Sequence, residues 1–146
     1  MASVFDVAAY ILQRTGKITT MKLQKLVYYC QAWSLVWDEK RLFPEQIRAW
    51  ANGPVVQKLY DAHRGMFKIS SIANGDSSKL NSEQKDTIKA VLAFYGDKPS
   101  QWLSDLTHLE RPWRDARQGL ADSERGTAEI TLAAMSEYYG GLQPKS

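Results

Sequence analysis

The side chains that could carry out nucleophilic chemistry are few and lie far apart in the chain. The sequence contains two histidines, His63 and His108, and a single cysteine, Cys30. A cysteine activated by histidine is a common nucleophile, but Cys30 has no histidine near it in sequence and falls at an apolar helical position. A pair assembled only by folding stays open. We expect Cys30 to be an unreactive core residue.

A second candidate for chemistry surrounds His108. Asp105, Glu110 and Asp115 lie near it, and Asp105 and His108, three residues apart, share a helix face. Carboxylates with a histidine suit a hard metal ion or acid–base catalysis, so a hydrolase or transferase site that also uses Arg117 is an alternative. The simpler interpretation is that His108 ends a helix and bonds a backbone or carboxylate group.

Sequence motifs of known catalytic machinery do not occur in the chain. The patterns H-E-x-x-H and G-x-S-x-G are absent, as are the glycine-rich loops that bind phosphates. The turn Asn52-Gly53-Pro54 is a poor phosphate cradle, because proline supplies no backbone N–H. We therefore expect a protein that is not an enzyme and that requires no cofactor and no metal ion.

Length and composition favour one cytoplasmic domain. The chain has 146 residues, of which 44% are hydrophobic and 24% charged. This length suits a single domain with a sizeable core, and we assign residues 1–146 to it. No apolar stretch reaches the roughly 20 residues of a membrane-spanning helix, and one cysteine cannot form an internal disulfide. These features predict a reduced, cytoplasmic protein that does not bind a membrane.

The net charge of +3 is concentrated near the N-terminus. Up to Trp37 there are four basic side chains, Arg14, Lys17, Lys22 and Lys25, against a single acidic one, and the remaining charges cancel. Such a distribution favours an acidic protein surface or nucleic acid. Because there is no continuous basic run, nucleic acid is the less favoured partner, and a solvated helix face is the simplest interpretation.

Hydrophobic periodicity and helix-end signals predict a mainly α-helical domain of six or seven helices. The expected N-caps are Ser3, Thr19, Asn81, Ser100 and Thr131. Two shorter helices are expected to begin at Pro54 and Pro112.

The remaining segments predict a little β-structure and one long connector. Ile47–Trp50 alternates apolar and polar residues, which indicates a strand of a small β-hairpin, paired with Arg41–Phe43. Met66–Lys79 contains a run of turn-forming residues, so we expect an exposed, mobile connector there.

Aromatic side chains are dense between Tyr28 and Tyr60, where seven occur within 33 residues. Tyr28 and Tyr29 are about 100° apart on a helix, and Lys22, Lys25 and Tyr29 lie on a face beside the apolar stripe. Burial in the core is one interpretation of these aromatics. Because Tyr and Trp are preferred interface anchors, we expect a partner-binding surface in this region. Its candidate residues are Lys22, Lys25, Tyr28, Tyr29, Trp37, Trp50 and Phe67.

Three blocks of the sequence, in order, resemble the Panacea domain. The first block is MKLQKLVYYCQAW at residues 21–33. The second contains LF at 42–43 and AWANGPVV at 49–56, and the third contains LTH at 106–108, PW at 112–113 and AR at 116–117. Each block alone is weakly specific, but together they are specific, and they span about residues 19–119.

The resemblance implies a fold and a function. The Panacea domain is mostly helical with a small β element, and it occurs in bacteria, in phages and on mobile elements. Proteins similar to the SocA-like and GepA-like members act as antitoxins that block a cognate toxin, encoded nearby, by direct binding. Some members deliver a toxin to a protease, and a nucleic-acid-associated regulator of a mobile element is a further alternative. We expect no additional DNA-binding domain, and the oligomeric state stays open.

We expect the motif residues of this resemblance to serve mainly as scaffold, because buried polar groups must be paired. In particular, Gln24 and Gln31 are expected to bond the backbone of the Asn52-Gly53-Pro54 turn. Toxin specificity is expected from Met66–Lys79, from the face with Lys25 and Tyr29, and from the end of the chain at 144–146. The expected scaffold residues are Gln24, Gln31, Trp33, Gly53, Pro54, Thr107, His108, Trp113 and Arg117.

Overall fold

Seven α-helices and five short strands form the described part of the chain. The computed structural model describes residues 2–142, so the expectation for residues 144–146 lies outside the described residues. The helices are α1 (Val4–Thr15), α2 (Thr20–Trp37), α3 (Gln57–His63), α4 (Ser82–Tyr95), α5 (Ser100–Leu109), α6 (Arg111–Ala116) and α7 (Leu132–Leu142). The strands are β1 (Ile18–Thr19), β2 (Ile47–Trp50), β3 (Gly53–Val56), β4 (Lys68–Ile69) and β5 (Glu129–Ile130). The predicted mainly α-helical fold is confirmed.

Helix-capping side chains start four helices where the sequence predicts, and one of them is Thr131, whose Oγ1 accepts the Ala134 N–H at 3.1 Å at the start of α7. Ser3 and Asp6 form a reciprocal capping box at the start of α1, and Asn81 and Gln84 form another at the start of α4. The Thr19 hydroxyl caps α2. Each cap satisfies a backbone N–H that has no partner within its own helix. These local interactions explain why the predicted starts are confirmed.

One predicted cap is wrong. Ser100 is the first residue of α5, and the residue before it, Pro99, occupies the cap position without a side-chain hydrogen bond. The Ser100 hydroxyl instead forms a hydrogen bond with the Thr19 hydroxyl. A contact 81 residues away in sequence has replaced the local one, and it joins the start of α5 to the start of α2.

The 18-residue helix α2 is the centre of the fold. It is packed against α1, α4, α5, α7 and β3, and ten consecutive residues, Leu23–Ala32, are buried. A helix surrounded on all sides buries every face. The predicted exposed face carrying Lys25 and Tyr29 is therefore wrong. Although α2 is long and mostly buried, no helix within residues 2–142 combines the length and apolarity needed to cross a membrane.

The small β element is a three-stranded antiparallel sheet in the order β3-β2-β5. Strand β2 pairs with β3 across a two-residue turn, with Trp50 opposite Gly53 and Ile47 opposite Val56. The predicted pairing with Arg41–Phe43 is therefore wrong. Pro54 does not begin a helix, because it lies within β3, an edge strand that tolerates the missing N–H.

The segment Met66–Lys79 is anchored at both ends, although most of its side chains are exposed. Near its start, β4 pairs with β1, and Ile69 is buried. Near its end, the Asp76 N–H donates to Asp6 Oδ1 at 2.9 Å. The prediction of an exposed segment is confirmed for most of its side chains, and long-range contacts hold its backbone at both ends.

Candidate functional site

Gln24 holds the end of strand β3 against α2. Its Oε1 accepts the Val56 N–H at 2.9 Å, and its Nε2 lies 3.3 Å from the Val56 carbonyl and 3.0 Å from His63 Nε2. The side-chain amide therefore makes the two bonds that a neighbouring strand would make. It bonds the far end of the strand rather than the predicted Asn52-Gly53-Pro54 turn.

Gln31 makes the same kind of contact two turns further along α2. Its Oε1 accepts the Leu42 N–H at 2.6 Å and the Phe43 N–H at 3.3 Å, and its Nε2 donates to the Phe43 carbonyl at 2.8 Å. The predicted bond from Gln31 to the Asn52-Gly53-Pro54 turn is wrong. The amide instead satisfies a buried loop backbone that belongs to neither a helix nor a strand.

A network of tyrosine hydroxyls surrounds Glu110 in the core. Tyr29 and Tyr139 each donate to Glu110 Oε1 at 2.7 Å, and the hydroxyls of Tyr28 and Tyr139 are 2.9 Å apart. The Tyr95 ring stacks on that of Tyr29 with centroids 4.1 Å apart. We call these five residues, Tyr28, Tyr29, Tyr95, Glu110 and Tyr139, the Glu110 cluster. The hydroxyls of Tyr28, Tyr29 and Tyr139 are thus linked to one another through Glu110 Oε1, and the Tyr95 hydroxyl accepts from Trp33 Nε1.

Burial sets the protonation of the Glu110 cluster. It raises the pKa of Glu110 above its ordinary value, while the hydrogen bonds from Tyr29 and Tyr139 act in the opposite direction. Burial also raises the pKa of Tyr95 to about 12 and raises those of Tyr28, Tyr29 and Tyr139. The tyrosines therefore stay hydroxyl donors at physiological pH.

Lys25 is a buried amine that forms no salt bridge with residues 2–142. The residue is 1% exposed, and burial lowers its pKa to about 8. Its Cε would lie 2.5 Å from a Cβ at Gly53, whose φ is +117°. Only glycine therefore fits at position 53, because of both its backbone conformation and the close approach of the lysine. Gly53, from the second block of the sequence, therefore packs directly against Lys25, from the first block.

The third block of the sequence fixes α5 and α6 to strand β2. The His108 ring stacks on Trp113 with centroids 4.1 Å apart, and Trp113 Nε1 donates to the Trp50 carbonyl at 2.7 Å. Arg117 lies 4.7 Å from the Trp113 ring centroid and donates to the Ala49 carbonyl at 3.0 Å. Among the described residues, His108 Nε2 is buried without a partner. The hydrogen bond expected of this ring is replaced by stacking.

The remaining members of the third block are also directed inward. The Thr107 hydroxyl donates to the Ser104 carbonyl at 2.7 Å, and the Ser104 hydroxyl donates to the Asn52 carbonyl at 2.9 Å. Trp33, from the first block, donates from its Nε1 to the Tyr95 hydroxyl at 3.1 Å. These polar atoms serve the packing of helices on one another and on the β-hairpin.

The groups proposed for catalysis do not converge on one place. Glu110 lies within the tyrosine network, Asp115 pairs with an exposed arginine one turn away, and Asp105 accepts from a glutamine of its own helix. Within residues 2–142, no group of three or more metal-ligating side chains lies together. Cys30 is buried, as predicted, and burial raises its pKa. Its thiol is therefore held in the unreactive protonated form.

Three of the predicted partner-binding residues are inside the protein. Lys25, Tyr28 and Tyr29 are each at most 1% exposed, so the prediction that they form a contact surface is wrong. The physical reason is the position of α2, which is covered on every side. Tyr28 and Tyr29 both reach the same buried cluster, with ring centroids 5.2 Å apart.

The other four predicted partner-binding residues reach the surface to different extents. Lys22 is half-buried, and Trp50 is half-buried against Tyr60, with ring centroids 4.9 Å apart. Trp37 stacks on Trp33 and is 43% exposed. Phe67 is the most exposed large apolar side chain among the described residues, at 75%.

Phe67 lies in a surface whose extent the sequence did not reveal. The Thr20 N–H donates to the Phe67 carbonyl at 2.9 Å, and the neighbouring Thr19 hydroxyl bonds Ser100, two residues before Trp102. Trp102 lies in the first turn of α5 and is 41% exposed. We call this region the Phe67 surface. It comprises Met66, Phe67 and Trp102 with the lysines Lys17, Lys22, Lys68 and Lys98.

Comparison with protein families identifies the chain. The family described as antitoxin SocA-like, Panacea domain, matches residues 23–114, which is more than half of the chain. The protein belongs to the SocA-like Panacea family. It has no match among curated proteins, and no solved structure matches it.

The matched Panacea segment runs from the first turns of α2 to α6. It contains Gln24, Gln31 and Glu110, and also Phe67 and Trp102. Helices α1 and α7 lie outside the match, yet Tyr139 of α7 completes the hydrogen bonds of Glu110. Helix α7, which lies outside the matched segment, therefore contributes a buried side chain to the core of this Panacea domain.

Proposed function

We propose that this protein is an antitoxin that neutralises a cognate protein toxin by binding it directly, without catalysing a reaction. The proposal places the protein in the cytoplasm, with its toxin encoded by a neighbouring gene of a prophage or other mobile element. Membership of the SocA-like Panacea family carries the proposal, since the match covers residues 23–114.

The use of the polar groups supports a binding role. The motif side chains Gln24 and Gln31 are bonded to the protein's own backbone, and Glu110, which lies between parts of the third block, is bonded to its tyrosines. The arginine of the third block, Arg117, bonds backbone carbonyls. Side chains used in this way stabilise a fold. A protein whose motif is scaffold acts on a partner through its surface.

Co-expression with the product of the neighbouring gene tests the proposal. We expect that product to arrest growth when expressed alone, and we expect the wild-type protein to restore growth and to co-purify with it in a fixed ratio. An unrelated helical protein expressed at the same level is the control. A neighbouring product that is harmless alone, or that stays toxic beside this protein, would contradict the proposal.

The amount of toxin distinguishes masking from delivery to a protease. If the protein masks the toxin, an immunoblot shows the same or a larger amount of toxin during rescue. If rescue instead requires loss of the toxin, and deletion of a cytoplasmic protease abolishes rescue, the protein is an adaptor. This measurement uses the wild-type chain, so it does not depend on any substitution.

The substitution His108→Phe tests the non-catalytic part of the proposal. Phenylalanine preserves the stacking on Trp113 but removes every ring nitrogen that could transfer a proton. We expect neutralisation to be unchanged. Loss of neutralisation together with an unchanged melting temperature would indicate catalysis at His108 and would contradict the proposal.

A further inference from the structure

The backbone contacts at the start of α2 bring three chain segments to one surface. Thr20 bonds the carbonyls of both Met66 and Phe67, through its N–H and its hydroxyl. The Thr19 hydroxyl bonds the Ser100 hydroxyl at the start of α5. Two consecutive threonines therefore join the segment after α3 to the first turn of α5. The joint therefore brings the backbone at Phe67 and the first turn of α5 close to the start of α2.

Exposed apolar side chains are concentrated at this joint. Met66 is 47% exposed, Phe67 75% and Trp102 41%. Along α5, Leu106 and Leu109 follow Trp102 at helical spacing, and Leu109 is 72% exposed. Exposed apolar side chains on neighbouring chain segments are characteristic of a binding site, and Phe67 and Trp102 are suitable anchors for a partner.

Positive charge surrounds these apolar side chains. Lys68 pairs in register with Thr19 on neighbouring strands, and Lys98 Nζ lies 5.1 Å from the Trp102 ring centroid. Lys17 precedes β1, and Lys22 is in the first turn of α2. Within residues 2–142 none of these four lysines forms a salt bridge.

The backbone reinforces this positive field. Helices α2 and α5 both begin at the Thr19–Ser100 joint, and helix N-termini carry partial positive charge. The acidic side chains nearest in the sequence are Asp97, beside Lys98, and Asp105, which accepts a hydrogen bond from Gln101. Four lysines and two helix starts therefore outweigh these two carboxylates.

We propose that the Phe67 surface is the toxin-binding surface, and that it binds an acidic segment of the toxin in which carboxylates flank an aliphatic or aromatic side chain. This inference rests on the proposed antitoxin function. The apolar side chain packs on Phe67 and Trp102, while the carboxylates approach Lys68 and Lys98. A protein segment supplies both kinds of group, whereas a nucleic acid backbone supplies only the charge.

Removal of the Phe67 ring tests the apolar half of the proposal. We expect Phe67→Ala to weaken toxin binding about 30-fold or more, which is the loss typical of a central anchor. The matched control is Phe94→Ala, because Phe94 is a comparably exposed phenylalanine on α4, at 63%, and this control is expected to bind like wild type. Thermal unfolding confirms that both variants are folded.

Charge reversal tests the electrostatic half. We expect Lys68→Glu with Lys98→Glu to slow association about tenfold or more at low salt, with a smaller difference at high salt, because salt screens the attraction. The matched control is Lys58→Glu with Lys89→Glu, at exposed positions of α3 and α4. It changes the net charge by the same amount but lies outside the Phe67 surface, and it is expected to have little effect.

The outcomes separate this proposal from the proposed function. If wild type neutralises the toxin and Phe67→Ala binds it equally well, the surface is wrong while the function stands. If wild type neither binds nor neutralises the neighbouring gene product, the proposed antitoxin function is wrong, and the surface proposal, which rests on it, is wrong with it. Binding of a random DNA duplex that depends on the same lysines would also overturn the proposal, in favour of a nucleic acid partner.

Discussion

The Glu110 cluster and the Phe67 surface both combine aromatic rings with charged side chains around helix α2, and they treat these groups in opposite ways. In the cluster, the tyrosine hydroxyls converge on one buried carboxylate at 2.7 Å. At the surface, the ring of Phe67 is 75% exposed, and the lysines form no salt bridge with any described residue. The hydroxyls that meet Glu110 are therefore satisfied within the chain, whereas the exposed ring and the lysines of the surface are available to a partner.

This difference separates the residues that maintain the fold from those that are available to a partner. A buried polar group costs free energy unless it is paired, so the Glu110 cluster has to be satisfied within the chain. Exposed lysines are solvated and require no partner for folding. The most recognisable part of the sequence therefore stabilises the domain, and a less recognisable part carries the proposed contact.

The largest expected effect is on the Glu110 cluster. Replacement of Glu110 by leucine removes the acceptor of two charge-assisted hydrogen bonds and leaves the Tyr29 hydroxyl buried without a partner. We expect Glu110→Leu to lower the free energy of unfolding by about 4 kcal/mol, at roughly 2 kcal/mol for each lost bond. Urea unfolding of wild type and variant at neutral pH measures this loss of stability.

A double variant provides the control for Glu110→Leu. Adding Tyr29→Phe removes the stranded hydroxyl, while Tyr139 keeps the Tyr28 hydroxyl as its partner. We expect this second substitution to restore more than half of the lost stability, because matched apolar groups need no partner. A loss below about 1 kcal/mol for Glu110→Leu alone would show that the hydrogen bonds of the cluster do not maintain the fold.

Lys25 sharpens the comparison, because it is buried like Glu110 but lacks an ionic partner. Burial lowers its pKa from 10.5 to about 8, so the charged amine destabilises the folded state at neutral pH. We expect Lys25→Met to raise the free energy of unfolding by about 2–3 kcal/mol at pH 7, from the size of this shift. Chemical unfolding of both proteins measures the difference.

The pH dependence of the Lys25→Met effect gives its own control. Below pH 8 both folded and unfolded wild type carry the charge, so the gain is complete there. Between pH 8 and 10.5 the folded protein releases the proton while the unfolded chain keeps it, so the gain declines towards zero. A gain that does not change over this range would contradict the assignment to the buried amine.

A smaller effect is expected from the titration of Glu110. Because burial raises the pKa of this carboxyl above 4.5, the folded protein keeps the proton after the unfolded chain has released it. The contribution of Glu110 to stability is therefore greatest below pH 4.5 and declines as pH rises through the raised pKa. The free energy of unfolding of wild type minus that of Glu110→Gln should therefore decrease as pH rises over that range. An increase of this difference with pH would contradict the assignment.

The smallest expected effect is on the stability of Phe67 variants. Phe67→Ala removes a ring that is mostly exposed in the folded protein, so we expect the free energy of unfolding to change by less than about 0.5 kcal/mol. Calorimetry of wild type and variant measures it. A loss above about 2 kcal/mol would place Phe67 with the core and remove the contrast between the two regions.

Several features of the fold could be predicted from the sequence because they depend on near neighbours. The capping pair Ser3 and Asp6, and the pair Asn81 and Gln84, lie three residues apart and act within a single turn. The burial of Cys30 follows from its place in an apolar stripe. The family is likewise evident from short blocks of sequence, and the match over residues 23–114 confirms it.

The candidate site was less predictable, because exposure depends on what surrounds an element. Trp102 and Leu103 are adjacent and both apolar, yet Leu103 is fully buried and Trp102 is 41% exposed. The roles of Gln24 and Gln31 were only partly predictable. Both bond buried backbone as expected, but Gln31 bonds the loop at Leu42 and Phe43 rather than the turn, since the choice depends on the path of the chain.

The sequence by itself determined the helical class, the starts of α1, α2, α4 and α7, and the Panacea family, because each of these depends on residues that lie close together in the chain. Only the tertiary structure decided which side chains of α2 meet solvent. Four helices and a strand enclose α2, so Lys25, Tyr28 and Tyr29 become core, while Phe67 and Trp102 stay exposed on segments that are bonded to the start of α2. Hydrophobic periodicity identifies the apolar and the polar face of a helix, but it does not indicate how many neighbouring elements cover each face.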